Sequence, residues 1–271
     1  MDNRRKTVIP KLYSNHKKTN AMVPEASIED EKKMTIKPEV LLMFSGGRDS
    51  YLAACKLIEK GYYVHMITFD NGCTSNLDVV KEVANTIIAK YGIHHADYAG
   101  VWKTAWHNML LDKNLCYMKP KELVINYPEL LPYEATCLSC RTSMYLVSIA
   151  YCKAKNIQYI SEGARKQQGF FVELDEMKNR YEKLCMEHGI QLIWPVYELE
   201  SDTERKIELG RRGLLTKTLE PQCNIGRPQR QKLTEEEKES LSRYYDMEIQ
   251  PYLKKLIEED TLSINSTNKE E

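Results

Sequence analysis

Two groups of residues in this sequence have types and spacing that chemistry can use. The first is Ser45-Gly46-Gly47-Arg48-Asp49-Ser50. Adjacent glycines let a backbone turn tightly and present successive N–H groups to an anion. Ser45 and Ser50 add hydroxyl donors, and Asp49 adds a carboxylate that could help hold Mg²⁺, a hard oxygen-seeking ion. A strand-to-helix turn that simply needs glycine would read the same over its first three residues. The second group is the CxxC of Cys137 and Cys140, with Cys223 in the Pro- and Gly-flanked segment 220–228. A CxxC alone fits half a zinc site, a redox pair, cluster ligands or coincidence. No second CxxC or His pair follows at the spacing a four-ligand zinc site uses.

The elements that must position these residues can be read from periodicity. Val40 to Phe44 is an unbroken apolar run, short enough for a strand buried on both faces. Leu52, Cys55 and Ile58, with Ala54 and Leu57, repeat at helical spacing behind it. The six-residue string therefore joins a strand to a helix, whose N-terminus adds unpaired N–H groups and a positive dipole end. Residues 63–69 read as a second strand ending in an Asp70-Asn71-Gly72 turn. Residues 77–91 read as a helix ended by Gly92, and 93–98 as a third strand. His94 and His95 lack ligand partners at suitable spacing and read as structural. Residues 102–111 read as a helix, and 117–136, with three prolines, as an irregular excursion. After it, residues 142–155 read as a helix beginning just past the CxxC, and 158–161 as a strand. Residues 170–189 read as a helix and 191–196 as a last strand. The best helices beyond are 203–210 and 234–259.

The full string SGGRDS matches SGGxDS, the signature of the PP-loop ATP pyrophosphatases, and the resemblance covers about residues 38–170. It implies an α/β, Rossmann-like (HUP-type) parallel sheet flanked by helices. It further implies cleavage of ATP between the α and β phosphates, leaving AMP on the substrate. Ser45, Gly46, Gly47, Asp49 and Ser50 would bind the pyrophosphate. Phe69, with Thr68 and Asp70 nearby, would reach adenosine at the end of the second strand. Asp49 and Asp70 would hold Mg²⁺. Gly163 would close over ATP, with Arg165 and Lys166 beside it as weaker matches.

A CxxC before a helix plus one cysteine after the last strand resembles the tRNA-thiolating members of that family. In one branch three such cysteines, here Cys137, Cys140 and Cys223, hold a [4Fe–4S] cluster. In another, a cysteine pair, here Cys140 and Cys223, carries sulfur as a persulfide. Three thiolates suit the cluster branch better. The function implied is ATP-dependent activation of a carbonyl oxygen, most directly for sulfur transfer to a tRNA nucleobase. A ligase acting on a carboxylate, like 7-cyano-7-deazaguanine synthase, is the alternative. Phe69-Asp70-Asn71-Gly72 resembles that enzyme, although its tight C-terminal cysteine cluster is absent. A non-catalytic nucleotide-binding module is a third reading, which the intact signature disfavours.

Composition bounds the rest. The 271 residues are 42% apolar and 29% charged, as in ordinary globular proteins, with zero formal net charge. No global field attracts nucleic acid, so any such contact must come from a local patch. Residues 204–232 hold eight basic against three acidic residues and could contact RNA phosphates. Eight cysteines and no apolar leader lead to the expectation of a reducing cytoplasm, and no run suits a membrane span. The organisation expected is an N-terminal extension (1–37), a PP-loop domain (38–200), a mostly helical C-terminal region (201–258) and a tail (259–271). Expected partners are ATP, tRNA or a base-derived small molecule, and a sulfur-donor protein. The oligomeric state stays open, a homodimer included.

Overall fold

The computed structural model describes residues 37–104, 125–213, 221–223, 232–251 and 253. The expected helix over 102–111, Cys116 and much of the basic run fall partly or wholly outside them. So do the N-terminal extension up to residue 36 and the tail.

Five parallel strands form the sheet, in the order β4 (Ala96–Lys103), β2 (Tyr63–Asp70), β1 (Glu39–Met43), β5 (Tyr159–Glu162), β6 (Gln191–Ile193). β1 sits at the centre, and its alternation decides which helices cover which face. Val40, Leu42 and Phe44 pack with buried residues of α1 (Arg48–Glu59) and α2 (Asp78–Tyr91). Leu41 and Met43 pack on the other side with α3 (Pro132–Lys155) and α4 (Asp175–Met186). Because every crossover is helical, both faces are covered, which is why β1 reads as a continuous apolar run. The Rossmann-like parallel sheet is thus as expected.

The chain leaves β1 toward β2 and β4, then returns through α3 to β5 on the opposite side of β1. The strand order therefore reverses between β1 and β5, and the carboxyl ends of these two strands form the crevice where open α/β sheets bind ligands. The Ser45–Ser50 loop follows β1 and Gly163 follows β5, so both stand at this point.

Two local readings are corrected. The third strand runs to Lys103, five residues beyond its expected end, because its pairing with β2 continues to Asp70 opposite Lys103. The helix carrying the CxxC begins at Pro132, ten residues before its expected start. Pro132 occupies the first helical turn, where a missing N–H costs nothing, and the Glu134 carboxylate accepts from the Leu131 N–H at 3.0 Å. Proline there starts the helix instead of breaking it. Farther on come α5 (Asp202–Arg211), the two-stranded antiparallel ribbon of β3 (Thr74–Ser75) with β7 (Gln222–Cys223), and α6 (Glu235–Tyr244).

Candidate active site

The loop after β1 is knitted by its own side chains. The Ser45 hydroxyl accepts from the Gly47 N–H at 3.3 Å and lies 3.2 Å from the Ser50 hydroxyl. The Ser50 hydroxyl donates to the Gly47 carbonyl at 3.0 Å. Gly47 caps α1 with no side-chain partner, so the first N–H groups of that helix face the crevice. Gly46 has a φ of +74°, in the left-handed region that favours glycine. Gly163 is held to glycine by space instead. A Cβ there would stand 2.5 Å from the Ser50 nitrogen and 2.6 Å from its Cα. The β5 exit thus presses directly on the backbone of the loop.

A cavity of about 760 Å³ opens over this junction. Ser45, Gly47, Asp49, Ser50, Phe69 and Gly163 line it, and so do Cys137, Cys140 and Cys223. The CxxC from α3 and the distant cysteine from β7 therefore reach the same chamber as the glycine loop. Its volume is that of an ordinary small-ligand site. Gly46 is not among the lining residues, and a Cβ built on it would stand 3.2 Å from the Val80 side chain. Asp70 is not among them either. Its carboxylate turns back to accept from the Gly72 N–H at 2.8 Å. The Asp70 carboxylate is thus engaged in its own turn, and Asp49 is the carboxylate that the loop gives the cavity.

Asp49 is heavily engaged. Arg165 Nε stands 2.9 Å from one carboxylate oxygen and Arg205 Nη1 3.1 Å from the other, and Gln168 also donates to it. Asp202 joins the two guanidinium groups from outside, at 3.1 and 3.0 Å. Although burial opposes its ionisation, Arg205 and Arg165 hold the Asp202 carboxyl below its ordinary pKa. Both arginines are 4% exposed and both line the cavity. Two buried cations at a phosphate-sized crevice can neutralise an anionic leaving group. Arg165, a weak match in sequence, is thus at the centre of the site. Lys166 instead points away and pairs with Asp175. Arg205 escaped sequence reasoning because it looked like one charge in a solvated basic run. Its signal was only its place on the helix that follows the last strand. Arg212 from the same run is largely covered and paired with Glu59 and Glu208, whereas Arg211 is exposed and pairs with Glu208 at 2.9 Å.

The sulfur wall has its own network. The Asn71 amide, 5% exposed, donates to Cys140 Sγ at 3.2 Å. Burial pushes the Cys140 thiol up to about 11, partly opposed by that bond and by Arg141. Cys223 and Cys73 add to the upward shift, which places both sulfurs within electrostatic reach of Cys140. Among the described residues no three Cys, His, Asp or Glu side chains are grouped to hold a metal ion. The described residues therefore do not form the ligand set of the expected [4Fe–4S] cluster. Cys55, Cys152 and Cys185 are buried.

The family model of the queuosine biosynthesis protein QueC matches residues 39–170, just under half of the chain, from β1 to beyond Gly163. The matched stretch holds the glycine loop, the CxxC and the β5 exit in the order seen here. Over this stretch the chain is similar to the PP-loop ATP pyrophosphatases. The similarity supports ATP-dependent adenylation as the broad chemistry. Among solved structures, a 4-thiouridine synthetase in complex with RNA and bound ATP resembles this chain at a TM-score of 0.54 and 15% identity. The match covers 83% of this chain and 54% of that one, so the chain spans about half the synthetase's length. At that identity the likeness shows the fold. A protein from Methanocaldococcus jannaschii described as a predicted subunit of tRNA methyltransferase aligns over 63% of this chain and 74% of its own. Its identity is 19% and its TM-score 0.41. NMN synthetase from Francisella tularensis aligns over 79% and 87%, at 13% identity and a TM-score of 0.44. No curated protein sequence matches the chain. No described helix is long and apolar enough to cross a membrane.

Proposed function

We propose that this PP-loop enzyme adenylates a carbonyl oxygen of a nucleobase, in tRNA or a base-derived small molecule, and replaces that oxygen with sulfur. The observation that supports it is the single cavity lined by both the glycine loop and the three cysteines Cys137, Cys140 and Cys223.

ATP would lie with its phosphates over Gly47 to Ser50 and its adenosine toward Phe69. A carbonyl oxygen attacks the α-phosphorus, the bond to the β-phosphate oxygen breaks, and pyrophosphate leaves. Asp49 positions Arg165 and Arg205, whose charges offset the negative charge developing on pyrophosphate. Mg²⁺, where present, would offset phosphate charge, and Asp49 is the loop carboxylate that would face it. The substrate now carries AMP, a far better leaving group than oxide.

Sulfur follows from the opposite wall. Cys223 is half-buried, as are Cys137 and Cys140, and stands on the ribbon apart from α3; in this reading it takes the sulfane sulfur from an external donor protein as a persulfide. The terminal sulfur attacks the activated carbon and AMP leaves. The Cys140 sulfur then attacks Cys223, releasing the thiocarbonyl product and leaving a Cys140–Cys223 disulfide for a thiol reductant to reopen. The test is direct. Purified enzyme with ATP, a persulfide donor and unmodified tRNA should yield AMP, pyrophosphate and thiolated nucleoside in equal amounts. ADP and phosphate as products would overturn the adenylation, and AMP formation without sulfur incorporation would overturn the second half.

The match to the QueC family model favours one other reading, a ligase that adenylates a carboxylate and lets nitrogen displace AMP. AMP formation that depends on a small carboxylate and ammonia, with no need of cysteine, would select it.

A further inference from the structure

One side chain joins Cys140 to the strand that pairs with Cys223. Asn71 follows β2 and stands at the root of the β3–β7 ribbon. Its Nδ2 donates to Cys140 Sγ at 3.2 Å. Its Oδ1 accepts from the Cys73 N–H at 2.9 Å and from the Thr74 hydroxyl at 2.8 Å. Thr74 is the residue paired with Cys223 across the ribbon. A donor on sulfur and two acceptances on the ribbon thus come from the same planar amide, which is buried and lines the cavity. An amide side chain exposes donors and acceptors on opposite sides, so both sets of contacts fix its orientation. α3 and the ribbon have no strand pairing with each other, so this amide is a direct link between Cys140 and the register of Cys223.

We propose that Asn71 is the positioning residue of the sulfur chemistry, holding Cys140 Sγ against the strand that carries Cys223. The inference rests on the sulfur-transfer reading, in which Cys140 must reach Cys223. It goes beyond that reading by assigning the geometry to a residue that is neither a thiol nor part of the glycine loop. Asn71 sits in a DNG turn, and a plain turn residue would use only its oxygen. The bond from its nitrogen to sulfur is what a turn does not require.

Asn71→Asp separates the two roles. It keeps an oxygen to accept from Cys73 and Thr74 but loses the donor to Cys140. The readout is dibromobimane, a bifunctional reagent that fluoresces on bridging two neighbouring thiols, with the bridged pair mapped by mass spectrometry. Wild-type protein should bridge Cys140 to Cys223. Asn71→Asp should slow bridging by about tenfold with its circular dichroism and melting temperature close to wild type. Asn71→Gln, which restores an N–H donor on a longer arm, should recover part of the rate. Bridging by Asn71→Asp at the wild-type rate, or no Cys140–Cys223 bridge in wild-type protein, would overturn the assignment. Sulfane sulfur is read separately, by cyanide release after exposure to glutathione persulfide. A wild-type chain that takes up none would sink the sulfur-transfer reading, whereas the bridging results would still decide whether Asn71 positions Cys140.

Discussion

Asp49 and Arg205 are 156 positions apart and meet at 3.1 Å, with Arg165 closing the other side of the same carboxylate at 2.9 Å. The contact ties the glycine loop to α5, an element on the far side of the chain's last sheet strand. It makes the loop's acid a holder of cations, not a free metal ligand.

Removing Arg205 therefore has two consequences. Arg205→Ala leaves Asp49 with one guanidinium fewer in a buried setting and should lower stability by about 3–5 kcal/mol, the cost of breaking a buried pair. Pyrophosphate release should fall by roughly 100-fold, as when an electrostatic contact to a developing anion is lost. Arg205→Lys should melt near wild type yet recover only part of the rate, since it cannot bridge Asp49 and Asp202 together. Wild-type turnover in both variants, measured by pyrophosphate release, would make Arg205 purely structural.

Gly163→Ala tests the pressure of β5 on the loop. Its new methyl meets backbone at 2.5–2.6 Å, which no rotamer relieves. Overpacking of this kind costs about 1–3 kcal/mol. A loop shifted by about 1 Å should lose roughly 100-fold in pyrophosphate formation. A crystal structure of Gly163→Ala with the loop in place and turnover unchanged would contradict the argument.

The Cys140 thiol, pushed up to about 11 by burial, is almost wholly protonated near neutral pH. Its alkylation by iodoacetamide, followed site by site, should be slow at pH 7 and rise about tenfold per pH unit up to pH 9 or beyond. A rate that plateaus below pH 8 would show that the thiol is activated.

His65 stands between Asp97 at 2.8 Å and Glu39 at 3.1 Å, on the face away from the cavity mouth. Burial alone lowers its pKa, but the two carboxylates outweigh burial and raise it. A raised folded-state pKa contributes stability that is complete below the unfolded value of about 6.5 and disappears as pH rises through the folded value. The melting-temperature difference between wild type and His65→Gln should thus be largest at about pH 6 and shrink toward alkaline pH. A difference that is flat across this range would show that the ion pair contributes nothing.

Much of the fold was legible in the sequence because its signals are local. The apolar run of Val40 to Phe44, the glycines behind it and the helical spacing from Leu52 each depend on neighbours a few residues away. They led to a strand, a loop and a helix where the structure has them. The chemical class was legible for the same reason, since SGGRDS is one continuous segment. Boundaries were less so. Pro132 could end one element or begin another, and only the Glu134 carboxylate on the Leu131 N–H decides it.

What the tertiary structure alone decided is who meets whom at the crevice. Sequence spacing could not turn Asp70 away into its own loop, since that orientation depends on a single bond to Gly72. Nor could it place Arg205 on Asp49, because a buried arginine and a solvated one are the same letter. The convergence of Cys137, Cys140 and Cys223 on one cavity follows from a crossover that brings α3 back beside β1, and from a ribbon pairing Thr74 with Cys223. These are long-range contacts, fixed by the burial of both sheet faces, and no local pattern encodes them.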